Sequence, residues 1–157
     1  MKIKKCFALV LSLLLSLSSF SFAFAASSED EYIKFNVNQD ERMDSNGDFE
    51  FLIRSSVKSD TFKAQQDSIT IKVSGKVWDS NTQNFITTSD TFTVQLYTSL
   101  GRKVGSFTVD CDGKDDFASF DVTEGNKYYI KVVSNQSYSG TEYYIKGYGN
   151  ASPVTVL

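Results

Sequence analysis

The sequence predicts an all-β fold, a single antiparallel β-sandwich of eight or nine strands that follows a cleaved leader. Three observations carry that expectation. Apolar residues recur at every second position in run after run, which is the period of a strand with one buried face. Turn-forming clusters separate the runs at near-regular spacing. No stretch sustains a 3.6-residue apolar period, and Pro153 is the lone proline. A small closed barrel is the alternative architecture.

The chain opens with Lys2, Lys4 and Lys5, then an apolar run from Phe7 to Phe24, then Ala23-Phe24-Ala25. A basic start, an apolar centre and small residues at alternate positions are the parts of a secretory signal peptide. Cleavage is expected after Ala25 or Ala26, giving residues 1–25 as signal and 26–157 as the domain. The protein is therefore expected to be secreted and extracellular, with no membrane association once the signal is cut. Cys6 precedes the apolar run and is not placed for lipidation at a mature N-terminus.

All 19 acidic residues but only 13 of the 16 basic ones follow the leader, a net charge of −6. Such a surface repels nucleic acid and anionic lipid, so neither is expected as a partner. Cys111 is the one cysteine beyond the leader. No intramolecular disulfide can form, stability must come from the core, and Cys111 reads as a small buried hydrophobe.

The elements follow in order. Ile33, Phe35 and Val37 alternate with polar residues across Tyr32 to Asn38. Asn46-Gly47 then marks a turn, since both residues tolerate positive φ. Phe49, Phe51 and Ile53 form the apolar side of the next strand, opposite Glu50, Leu52 and Arg54. Ser55 to Asp67 is polar around a lone Phe62 and reads as a loop or crossover. Ile69, Ile71 and Val73 make a third strand that Gly75 interrupts before Val77-Trp78. Asp79 to Asp90 is a polar loop anchored by Phe85-Ile86. Phe92, Val94 and Leu96 alternate again; Gly101 turns the chain into Val104 to Asp110. An acidic turn leads to Phe117–Val122, and Val154 to Val156 is placed to close a sheet.

Tyr128 to Gly149 reads as a hairpin in which Tyr-Tyr-Ile-Lys occurs twice, at 128–131 and 143–146. With Ile130 and Ile145 pointing inward, parity sends Tyr129, Lys131, Tyr144 and Lys146 to one outer face. Tyr128 and Tyr143 are assigned to the core. With Tyr138 in the turn and Tyr148 nearby, the quartet is the candidate ligand-binding patch. Tyrosine rings on a sheet face can stack on sugars or peptide side chains, although cross-strand Tyr–Lys pairs also stabilise sheets on their own account.

The sequence lacks histidine, which excludes Ser–His–Asp, Cys–His and His-based metal chemistry. No phosphate-cradling glycine loop opens a helix. Glu50, Glu124 and Glu142 show no spacing that selects a catalytic pair. The chain is therefore expected not to be an enzyme. Two acidic turns admit a cation. In Asp44–Asp48 the EF-hand pattern fails, with Phe49 and Ser55 standing where glycine and glutamate are needed. In the second, Asp110, Asp112, Asp115 and Asp116 surround Gly113 and form the candidate Ca²⁺ ligands. Ordinary Asx-rich turns are the other reading of both.

Phe120 to Val132 and Gly140 to Ile145, a glycine-containing turn into a Tyr-rich strand and a second Tyr-bearing strand, carry a family resemblance. Phe92 to Tyr97 and Gly101 extend it upstream. Over about its last 65 residues the chain resembles the β-sandwich domains that follow bacterial secreted peptidases, the pre-peptidase C-terminal and collagen-binding type. The resemblance implies a jelly-roll-like sandwich, often Ca²⁺-stabilised, that binds matrix or polysaccharide or assists secretion. Those domains accompany a catalytic domain, which is not expected in these 157 residues. The expected function is a non-catalytic binding module for an extracellular polysaccharide or matrix protein. A structural or partner-interaction protein of the envelope or biofilm matrix is the alternative, and a small glycan-active enzyme the third reading.

Overall fold

A computed structural model describes residues 30–35, 47–137 and 140–157. The expected signal peptide, the turn at 44–46 and Tyr138 lie outside the described residues. Within them the chain is all-β, without helix, and its strands form two antiparallel sheets.

Twelve strands lie among the described residues: β1 Tyr32–Phe35, β2 Asp48–Ile53, β3 Ser56–Lys58, β4 Phe62–Ala64, β5 Ser68–Asp79, β6 Asn84–Ile86, β7 Thr91–Thr98, β8 Lys103–Asp110, β9 Asp116–Asp121, β10 Lys127–Ser134, β11 Tyr143–Ser152 and β12 Val154–Val156. Nine coincide with expected runs. The additions are β3, β4 and β6, three residues each and too short to show a period.

The first sheet runs β1-β2-β11-β5, and β6 and β9 both pair with the far side of β5. The second runs β12-β4-β10-β7-β8, with β3 also pairing with β10. The segment read as a loop from Ser55 to Asp67 thus supplies two edge pieces to one side of β10. Ser59 joins them: its N–H donates to the Ile130 carbonyl at 2.9 Å, and its hydroxyl accepts from the Ile130 N–H at 3.0 Å. Ser59 thus satisfies both backbone groups of Ile130, the carbonyl with its own N–H and the N–H with its side chain.

The expected hairpin does not form. β10 pairs with β7, β3 and β4, whereas β11 pairs with β2 and β5 in the other sheet. The polar segment between them carries the chain from one sheet to the other. Each Tyr-Tyr-Ile-Lys therefore occupies a central strand, but of a different sheet.

The core lies between the sheets, where Phe49, Phe51, Phe62, Phe92, Ile71, Ile130 and Ile145 are fully buried. Each such side chain contributes about 1.5–3 kcal/mol relative to exposure. The rings need room, and β11 provides it. A Cβ at Gly147 would collide with the Phe51 ring and the Ser74 carbonyl, and one at Gly149 with the Phe49 ring. Gly75 makes room for Phe92 in the same way, and β5 keeps one register through it rather than bulging or bending there as expected.

Cys111 is buried in this core. Burial first, then the charges of Asp90, Asp110 and Asp112, push its thiol up to about 12. At neutral pH it remains a protonated, inert hydrophobe.

Candidate functional site

Parity places the two tetrapeptides as the alternation requires, yet on opposite outer faces. On the second sheet Tyr129 stands beside Tyr97, its register partner on β7, and the two rings stack at 5.2 Å with 4° between planes. The Lys58 ammonium lies 5.9 Å from the Tyr129 ring centre. Lys131 faces Gln95 and Lys58 in register. Tyr129 thus spends one ring face on Tyr97, and both rings are half-buried.

On the first sheet Tyr144 points outward but is fully buried. Trp78 and Leu52 enclose it in a small second apolar cluster, with Tyr32 packed alongside. The Arg54 guanidinium covers its ring at 5.6 Å while donating to the Thr141 carbonyl at 3.1 Å. Glu31 braces this cover: its carboxylate accepts from the Arg54 and Ser55 N–H groups and from the Ser55 hydroxyl. Burial opposes ionisation of Glu31, but those hydrogen bonds and the Arg54 charge outweigh it and hold the carboxyl below its usual range. Lys146 is exposed, its ammonium 4.9 Å from the Trp78 ring centre. The expected quartet is therefore split, with Tyr129 and Lys131 on one side of the sandwich and Lys146 on the other. Tyr144 is not available to a ligand.

The outer face of the first sheet does carry a groove, of about 340 Å³. Glu50 on β2, Ser74 and Lys76 on β5, Phe85 on β6, and Lys146 and Tyr148 on β11 line it. That volume falls at the small end of ligand sites, roughly 300–1,000 Å³. Phe85 is 56% exposed and Tyr148 61%. A second depression of about 180 Å³, lined by Asp48, Lys72, Asp115, Tyr148 and Asn150, continues from the other side of Tyr148. Phe117, 72% exposed, lies opposite Lys72 in register.

Local pattern explains each position. Tyr148 follows Lys146 at the next outward place, between the two glycines that admit the Phe51 and Phe49 rings below. Phe85 pairs with Trp78 in register, so it faces outward while Ile86 packs against the core. The signal for Phe85 was present in the sequence as an aromatic among polar residues, read there as a loop anchor. Lys76 was legible from the parity of Val73 and Val77.

The acidic turn lies at the rim of this groove, where Gly113 donates to the Gly75 carbonyl at 3.1 Å and Asp112 bridges to Lys76 through the backbone. Its carboxylates are dispersed. Asp112 pairs with Lys114 at 2.8 Å, which holds its carboxyl below the usual range. Asp115 pairs with Lys72 at 2.7 Å and raises the lysine's pKa. Asp116 accepts from the Asp110 N–H at 3.4 Å. Asp110, Asp112, Asp115 and Asp116 are not brought together, and among the described residues no group of three or more acidic or cysteine side chains gathers to hold a metal ion.

No protein-family model matches this chain, and no curated protein is similar enough to match it.

Proposed function

We propose that the chain is a secreted, non-catalytic binding module for an extracellular polysaccharide, built on a jelly-roll-like sandwich. One observation carries the reading: the groove on the first sheet's outer face is a mostly apolar surface that presents two largely exposed aromatic rings, Phe85 and Tyr148, beside the charged side chains of Glu50, Lys76 and Lys146. Sugar rings have apolar faces of C–H bonds and polar edges, so they favour exposed aromatic rings beside hydrogen-bonding groups. Glu50, Lys76 and Lys146, all exposed, supply those groups. Both rings stand on strands paired within the sheet, β6 with β5 and β11 with β2 and β5, so their backbone positions are set before a ligand arrives.

Retention on insoluble glycans tests the proposal. Wild type is expected to be retained and the Phe85→Ala/Tyr148→Ala double variant to wash through. Equal retention of the two would end it, and retention on collagen in place of glycan would move the reading to a matrix protein.

A further inference from the structure

The groove holds two like charges side by side, of which Lys146 is held in part by the Trp78 ring. Lys76 on β5 and Lys146 on β11 are direct register partners. Like charges directly opposite one another destabilise a sheet. Among the described residues neither ammonium has a carboxylate within ion-pair distance, because the ion pairs there are Lys72–Asp115 and Lys114–Asp112. Glu50, the carboxylate in the groove wall, stands opposite Lys34 in register. The two lysines thus form a positive island set between Glu50 in the groove wall and the acidic turn at its rim, where the end of the Lys76 side chain lies against Gly113. Screening over about 8 Å at physiological ionic strength leaves that island effective against a ligand seated on it.

The rings bracket the island. Phe85 lies in the register row of Trp78, Lys76 and Lys146 in the next, and Tyr148 in the row beyond. At about 3.3 Å per residue the two aromatic rows are roughly 13 Å apart along the strands, with the lysines midway.

Resting on the proposed function, we infer that the polysaccharide is a polyuronate, whose carboxylate is held between Lys76 and Lys146 while neighbouring sugar rings stack on Phe85 and Tyr148. A uronate carboxylate is bonded directly to a ring carbon. It therefore projects from the ring edge and leaves the ring faces free to stack. Its two oxygens can each accept a charge-assisted hydrogen bond, one from each lysine.

Calorimetric titration with oligogalacturonate, its methyl ester, neutral galactan fragments and polyglutamate tests this. The wild type is expected to bind the acid about ten-fold or more tighter than the ester. Lys76→Ala/Lys146→Ala should erase that preference, and Lys76→Arg/Lys146→Arg should keep it. These side chains are exposed, and a thermal melt of each variant checks the fold. Equal affinity for acid and ester overturns the polyuronate inference and leaves polysaccharide binding standing. Equal affinity for polyglutamate overturns the assignment to a sugar acid. Binding of none of the saccharides overturns both the inference and the reading beneath it.

Discussion

Tyr128-Tyr129-Ile130-Lys131 and Tyr143-Tyr144-Ile145-Lys146 sit at the centres of two different sheets and share one in–out parity, yet their outward tyrosines meet opposite fates. Tyr129 is half-buried against Tyr97, whereas Tyr144 disappears under Trp78, Leu52 and Arg54. The four letters set the direction of each side chain, and the strands on either side set its exposure. The next inward position shows the same thing from within. Val132 follows the first tetrapeptide and fills the core, while Gly147 follows the second and makes way for the Phe51 ring. The sheet with three glycines facing in, Gly75, Gly147 and Gly149, is also the one with a groove and large exposed rings outside.

The largest expected effect separates the two tyrosines. Tyr144→Ala empties a fully enclosed site and should cost about 3 kcal/mol or more in denaturant unfolding. Tyr129→Ala loses one stacked pair and part of its packing, about 0.5–1.5 kcal/mol. Equal costs would mean that burial does not distinguish the two copies.

A smaller effect of opposite sign is expected at the lysine pair. Lys76→Gln removes a like-charge neighbour and should raise stability by about 0.2–1 kcal/mol in low salt, with the gain fading as salt is added. Lys131, opposite Lys58 in the other sheet, provides the matched control. A loss of stability on Lys76→Gln would show that the lysine is held by a partner.

In order of size the acid response comes last. Glu31 has a lowered pKa in the folded protein, so its contribution is complete above its unfolded value near 4.5 and is lost as pH falls through the lower folded value. Thermal melts of wild type and Glu31→Gln should differ at pH 6 and converge below that window. A gap that persists at pH 2 would contradict the assignment.

Alternation made the strands and their inward residues legible, and Ile130, Ile145 and Tyr128 lie in the core as expected. Pairing was not legible. Polar, turn-prone residues between two apolar runs serve a hairpin within one sheet or a crossing between two, and neither strand's alternation changes between those cases. The short β3, β4 and β6 escaped because three residues cannot display a period, and Phe85 was misplaced with β6. Of the candidate ligand-binding residues, Lys146 lines the groove; Tyr129 and Lys131 lie on the far face, and Tyr144 is covered by neighbours distant in sequence.

Trp78 gives the most direct test of the central claim, that ligand binds on the outer face of the first sheet. It is the chain's single tryptophan, it stands on that face in the register row of Phe85, and the groove residue Lys146 rests over its ring. Its fluorescence, followed while an oligosaccharide that the protein retains is titrated in, should change saturably in wild type. In Phe85→Ala/Tyr148→Ala it should stay flat. Saturable binding with Trp78 emission unchanged, abolished instead by Tyr129→Ala, would place the ligand on the opposite face and contradict the account.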